Sequence, residues 1–244
     1  MQSKKTYFCR FSITRQMSKN TEQNEETIVD VAEVYSKTET FIEENKNMLS
    51  IVVAAIAIVV GGYFAYTSFY LKPLQEEAQQ EMFMAEKYFE QDSLNLAMYG
   101  DDMYPGFIEI ADNYSGTKAG NLANYYLGIC YLRTGQFEAA IDALDDFDAK
   151  DLIIGATKLG AMGDAYLELG DLNKAVSHYK KAANYYQDDF TSPMYLMKAA
   201  KTYELLNDYA SAVDTYQKIK EDYRKSSQAT EADKYIARAE AYIQ

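Results

Sequence analysis

The sequence predicts an all-α protein: a single N-terminal transmembrane helix followed by a solenoid of stacked helical hairpins. Three observations carry that reading. Breakers are scarce, with 12 Gly and 3 Pro in 244 residues, and 48% of the chain is hydrophobic, so long helices are favoured. No charged residue lies between Lys46 and Lys72. Small and large residues recur at matched offsets three times between Tyr125 and Tyr216.

Charge divides the chain near Lys72. Residues 1–72 hold eight basic and eight acidic side chains, so residues 73–244 carry the whole net charge of −13. That acidity argues against a nucleic-acid partner, because such binding rests on cations meeting phosphates. Two cysteines, Cys9 and Cys130, make neither a disulfide framework nor a zinc cluster, and a single histidine, His178, removes most histidine-based chemistry. Trp is absent while Tyr numbers 23, a load that needs an explanation.

Residues 1–47 are predicted to form a cytoplasmic tail. Between Thr27 and Lys46 the apolar Ile28, Val31, Val34, Tyr35, Phe41 and Ile42 fall near one helical face, with glutamates and Asp30 around them. An acidic amphipathic helix is a poor match for anionic lipid. It either touches a protein or stays loosely ordered. No apolar run precedes Cys9, which disfavours lipid attachment there, and the polar stretch from Met17 makes it an alternative translation start to Met1.

Residues 48–71, MLSIVVAAIAIVVGGYFAYTSFYL, read as the membrane span. As an α-helix they would be about 36 Å long, enough to cross a hydrocarbon core of about 30 Å with modest tilt. Tyr63, Phe64, Tyr66, Phe69 and Tyr70 at one end resemble an interfacial aromatic belt. The run starts too late and is too long for a cleaved signal peptide. Before it stand Lys4, Lys5, Arg10, Arg15, Lys19, Lys37 and Lys46; soon after it stand only Lys72 and Lys87. This asymmetry predicts a cytoplasmic N-terminus and an exported residue 73–244 domain.

Within that domain three segments align: Tyr125–Leu144, Gly160–Tyr179 and Met197–Tyr216. Gly128, Gly163 and Ala200 permit a close helix approach. Tyr131, Tyr166 and Tyr203 follow and fill space between helices. Gly135, Gly170 and Asn207 suit a left-handed helix end. Phe137, Leu172 and Tyr209 enter the second helix, Ala140, Ala175 and Ala212 form its tight crossing, and Leu144, Tyr179 and Tyr216 close the contact. Reuse of aromatic slots accounts for most of the tyrosine.

These motifs resemble the tetratricopeptide repeat family. L-G-x-x-Y at 127–131, M-G-x-x-Y at 162–166 and A-A-x-x-Y at 199–203 match its first-helix pattern, and G-x-F-x-x-A at 135–140, G-x-L-x-x-A at 170–175 and N-x-Y-x-x-A at 207–212 match its second. Asn124, Leu159 and Leu196 stand where the family has Trp, and its terminal Pro is missing. The resemblance implies a tetratricopeptide-repeat α-solenoid with repeats over about 122–223. A degenerate unit is expected at 75–115, with a helix ending in Ala85, Tyr88 and Phe89, an irregular insertion NLAMYGDDMYPG, and a resumption at Phe107–Ala111. The stripe Ala229, Ala232, Ile236, Ala239 and Ile243 predicts a capping helix over 228–243.

Candidate chemical sites are few. His178, without ligand-spaced neighbours, is expected at the surface, and Cys130 as a small buried hydrophobe. Asp101-Asp102 and Asp145-Asp146-x-Asp148 lack the glycine turn and distal glutamate of a calcium loop. No catalytic residue, metal site or cofactor is predicted, so the domain is read as a non-enzyme.

The order of parts resembles the YfgM-like family, ancillary subunits of the bacterial Sec translocon. Phe41-x-x-Glu44-Asn45 before the span and the stretch 116–123 are similar to that family's local motifs. The resemblance implies a single-pass inner-membrane protein of bacteria with a periplasmic repeat domain. Its implied partners are translocon subunits, a periplasmic chaperone and unfolded exported clients. A scaffold subunit of another cell-envelope assembly is the alternative. Ligand-facing positions of the repeat family, carried onto this alignment, give a partner-binding groove of Leu122, Tyr125, Ile129, Leu132, Leu167, Met194, Met197 and Leu205. Arg133, Asp164, Glu168, Lys201 and Glu204 fall beside them. The alternative is that part of this face is covered by the N-terminal hairpin.

Overall fold

Helix ends leave backbone N–H and C=O groups unpaired, and this sequence pairs them at recurring places. The computed structural model describes residue 39 and residues 41–243. Cys9, Met17 and the amphipathic pattern over residues 27–38 lie outside the described residues. The chain divides into two compact units between Ala65 and Tyr66.

In the first unit, α1 spans Lys46–Ala65, and none of its residues is buried. Its 20 residues reach about 30 Å, which matches a hydrocarbon core. The helical run Lys46–Glu90 contains the one stretch among the described residues that is long and apolar enough to cross a membrane. The α-helical geometry expected through Leu71 stops earlier. Tyr66–Leu71, at the start of the second unit, is π-helical, and the rings of Tyr66 and Tyr70 stack there with centroids 5.4 Å apart.

In the second unit, α2 spans Lys72–Glu90, α3 Leu94–Tyr99, α4 Phe107–Asn113, α5 Lys118–Arg133 and α6 Phe137–Asp146. Then follow α7 (Leu152–Glu168), α8 (Leu172–Tyr185), α9 (Thr191–Leu205), α10 (Tyr209–Asp222) and α11 (Ser227–Glu240). The described residues contain no strand, only an isolated bridge between Gly100 and Pro105.

Side chains cap the starts of these helices. Thr117 accepts from Gly120 N, Asp151 from Ile153 N and Ile154 N, Asp171 from Lys174 N, Asp208 from Ser211 N and Ser226 from Ala229 N. The first-helix ends share a single device. Gly135, Gly170 and Asn207 take positive φ of 78°, 78° and 59°. The next residue's N–H then reaches back to the carbonyl of Tyr131, Tyr166 or Tyr203 at 2.8–2.9 Å, the Schellman arrangement.

Asp92 repeats that device at the end of α2, with φ 61° and Ser93 N bonded to the Tyr88 carbonyl at 2.9 Å. The N-terminal unit is therefore a true hairpin whose second helix begins at Leu94. From the sequence, Asn95–Tyr99 is expected to belong to an irregular insertion. The structure makes it helix, with Ala97 and Met98 fully buried, and confines the break to 100–106. The overlooked signal is Ala85-x-x-Tyr88 followed by Leu94-x-x-Ala97, the spacing of the later repeats.

Packing follows a small-against-large rule. A Cβ on Gly128 would meet Leu144 Cγ at 2.4 Å, and one on Gly163 would meet Tyr179 Cε1 at 2.6 Å. Ala140, Ala175 and Ala212 are each 0% exposed, as expected for the crossing positions. The core forms two large clusters, one running from Ala78 to Ala143 and the other from Ala156 to Ala239. Between them lies a small one of Leu144, Ala161 and Met162, joined by Tyr125, Ile129, Leu132 and Ile141. The last helix, α11, covers α10: the fully buried Tyr216 stacks on Tyr235 at 5.3 Å.

Candidate functional site

The first helix of each hairpin carries the positions that the sequence reading assigned to a partner. The structure distributes them unevenly. Tyr125, Ile129 and Leu132 come together, half-buried, on the small cluster between α5 and α7. Tyr125 also lies 5.2 Å from Phe147, and burial pushes its phenol up. Leu122 packs instead on the N-terminal core. Leu167 and Met194 are half-buried against the C-terminal core. Met197 is part of that core, 7% exposed, so its side chain has little area for a partner. The expectation of a ligand-facing Met197 fails for a physical reason: the turn of α9 that carries it is sandwiched against neighbouring helices. Leu205, by contrast, is 60% exposed.

Charged groups beside these residues pair across neighbouring hairpins. Lys198 Nζ donates to both oxygens of Asp164 at 2.7 and 2.8 Å, and the Tyr179 hydroxyl donates to Asp164 Oδ1 at 2.6 Å. One repeat further on, Arg238 donates to both oxygens of Glu204 at 2.8 and 2.6 Å, and the Tyr216 hydroxyl donates to Glu204 Oε1 at 2.7 Å. Each ion pair joins residues 34 positions apart, about one repeat. Arg133 pairs with Asp92 at 2.5 Å and lies over the Phe89 ring. Burial, reinforced by the hydrogen bonds to Asp164 and Glu204, holds the Tyr179 and Tyr216 phenols far above their ordinary value. Burial pushes Tyr195 up to about 12. These tyrosines stay neutral and act as donors.

Asp164 and Glu204 are legible in the sequence as charges beside the groove, whereas their partners Lys198 and Arg238 emerge from the structure. The signal available was charge reversal at the repeat period: Asp164 with Lys198, Glu204 with Arg238.

Other candidates resolve as structural groups. Cys130 is fully buried, and burial pushes its thiol up to about 11, which makes it a poor nucleophile. His178 was expected at the surface. It is half-buried, with its ring 5.0 Å from that of Tyr166, and its Nδ1 is buried without a hydrogen-bond partner. Its place beside Tyr179 on α8 turns it toward the first helix of the same hairpin. Burial first, then Lys181, holds it below the usual histidine range. Asp101 accepts from the Tyr88 hydroxyl and from Met103 N and Tyr104 N, closing the 100–106 loop. Asp148 pairs with Lys150, and its backbone is tied to Asn121. No group of three or more potential metal ligands occurs among the described residues.

What remains is a face of shape and contact. Sequence models of the tetratricopeptide repeat family match residues 110–151, 161–189 and 195–226. The hairpins in those segments carry tetratricopeptide repeats. No curated protein matches the chain. Tetratricopeptide repeats make protein–protein interaction modules, and the matched segments contain α5, α6, α8 and α10, most of α9 and the C-terminal part of α7. The repeat's first-helix face is thus the candidate surface, with Arg133, Asp164 and Glu204 paired between neighbours.

Proposed function

We propose that the protein is a membrane-anchored interaction module, an ancillary subunit of the bacterial Sec translocon that assists exported clients together with a periplasmic chaperone. The observation that carries this reading is the order of parts: one membrane-length apolar helix, Lys46–Ala65, ahead of tetratricopeptide repeats. In this reading residues 1–47 are a cytoplasmic tail, 48–71 the span, and 73–244 the periplasmic domain. The excess of Lys and Arg before the span supports that orientation.

The groove proposed for clients or partner helices keeps Tyr125, Ile129, Leu132, Leu167, Met194 and Leu205, with Leu122 and Met197 supporting from below. Its exposed part is apolar with a flexible methionine, which suits varied apolar segments. Pull-down of the full chain in mild detergent tests the assignment: translocon subunits should be recovered, and their absence beside other envelope proteins would favour the scaffold reading instead. Protease added to spheroplasts should digest the repeats and spare the tail. Protected repeats would reverse the orientation.

A further inference from the structure

At the end of the repeats, α9, the start of α10 and α11 enclose an open cup of about 530 Å³ lined by Lys201, Glu204, Leu205, Tyr209, Tyr235, Arg238 and Tyr242. Its charge runs against that of the protein. Three cations converge on the Tyr235 ring: Arg238 at 4.8 Å, Lys201 at 5.1 Å and Lys234 at 5.7 Å from the centroid. Glu204 is bonded to Arg238 and balances that cation alone. Lys201 and Lys234 are exposed, and among the described residues neither has an ion-pair partner. Like charges held over one ring, on a chain of net charge −13, make a local site for an anion.

The rest of the cup is apolar and open. Leu205 and Tyr242 are 60% and 66% exposed, and Tyr242 is held in place by stacking on Tyr209 at 4.8 Å. Leu205 comes from α9 and Tyr242 from beyond α11, so apolar area flanks the cations from two elements. A carboxylate carried mid-segment, between bulky side chains, meets both features.

We propose that this cup docks a partner protein segment in which an internal Asp or Glu is flanked by large apolar residues. The inference rests on the reading of the repeats as a protein-binding module and names the chemistry that its C-terminal end selects. Charge complementarity decides the occupant: a basic segment would face the unpaired ammonium of Lys201 in the cup's lining, with that of Lys234 over the same tyrosine ring.

The test uses the full chain in detergent and a short fluorescent peptide of Leu, Phe and Ala, blocked at both ends, with one central Glu. Its counterparts carry Gln at that place, or Gln with a free C-terminal carboxylate. Anisotropy titration should show the Glu peptide binding roughly tenfold tighter than the blocked Gln peptide, a gap that shrinks at high salt. Lys201→Gln with Lys234→Gln should abolish the gap, with circular dichroism confirming the fold. Equal affinity for Glu and Gln peptides, or a gap that survives in the double variant, overturns the cup while leaving the wider groove standing. Preference for the free C-terminus overturns the internal carboxylate. Failure of every peptide to bind removes the groove reading and the cup with it.

Discussion

Gly163 lies on α7 where the Tyr179 ring passes, and the ring is 1% exposed and tied to Asp164. An alanine in a helix interior ordinarily gains about 0.5–1 kcal/mol over glycine. Here its Cβ would stand 2.6 Å from Tyr179 Cε1 and 2.7 Å from Cδ1, and the ring has no free space to yield. Gly163→Ala is expected to lower stability by about 1–3 kcal/mol, read by urea unfolding of the protein in detergent. A stabilised variant would mean that the two helices are further apart than described. His178 makes the stability of the fold depend on pH. Its folded-state pKa is depressed, chiefly by burial, with Lys181 and Lys174 adding to it and Asp145 opposing. The unfolded chain, titrating near about 6.5, then binds the extra proton first. Stability contributed by the neutral ring is present above about pH 6.5 and is lost as pH falls toward the folded value. His178→Phe keeps a ring against Tyr166 and removes the titration. Its urea midpoint should fall less than wild type between neutral and mildly acidic pH, and parallel losses would assign the acid sensitivity elsewhere.

Helix ends can be judged one element at a time. Gly170 has φ 78°, and nothing lies within 4 Å of a Cβ built on it. Gly170→Ala therefore meets no clash and carries only the backbone cost of the left-handed region, about 1–2 kcal/mol. Gly170→Asn should cost less, since Asn207 already occupies the equivalent place at φ 59°. If alanine and asparagine cost the same, the cap has been misread. The hairpins α5–α10 and the covering helix α11 were legible because each repeats one spacing of small, aromatic and turn residues. The split second helix of the N-terminal hairpin was not. The 100–106 loop interrupts the pattern after Ala97, and the following Phe107 no longer falls in register. The candidate binding face was only half legible for a similar reason. Leu205 and Tyr125 could be placed by offset along one helix. The burial of Met197, and the pairing of Asp164 with Lys198, depend on how the next hairpin lies against the first.

Across the repeat unit the core is two large clusters joined through Leu144, Ala161 and Met162. Repeats touch mainly their neighbours, so stability is close to a sum of hairpins and junctions, and the thinnest junction sets how far unfolding spreads. Met162 is 5% exposed at that place. Met162→Ala should cost about 2–5 kcal/mol and, more tellingly, separate the unfolding of α2–α6 from that of α7–α11. Hydrogen exchange would then show two transitions in denaturant, whereas one shared transition would place the weak link elsewhere.

The covering of Tyr216 and Ile219 on α10, both 0% exposed, depends on α11, a helix made after it. At synthesis speeds of about 5–20 residues per second, the 14 residues of α11 take roughly one to three seconds to follow α10 out. For that interval every newly made chain carries a finished stack of hairpins with a bare, adhesive end. The end most prone to stick to another nascent chain is thus decided by the order of manufacture, before any feature of the completed protein comes into play.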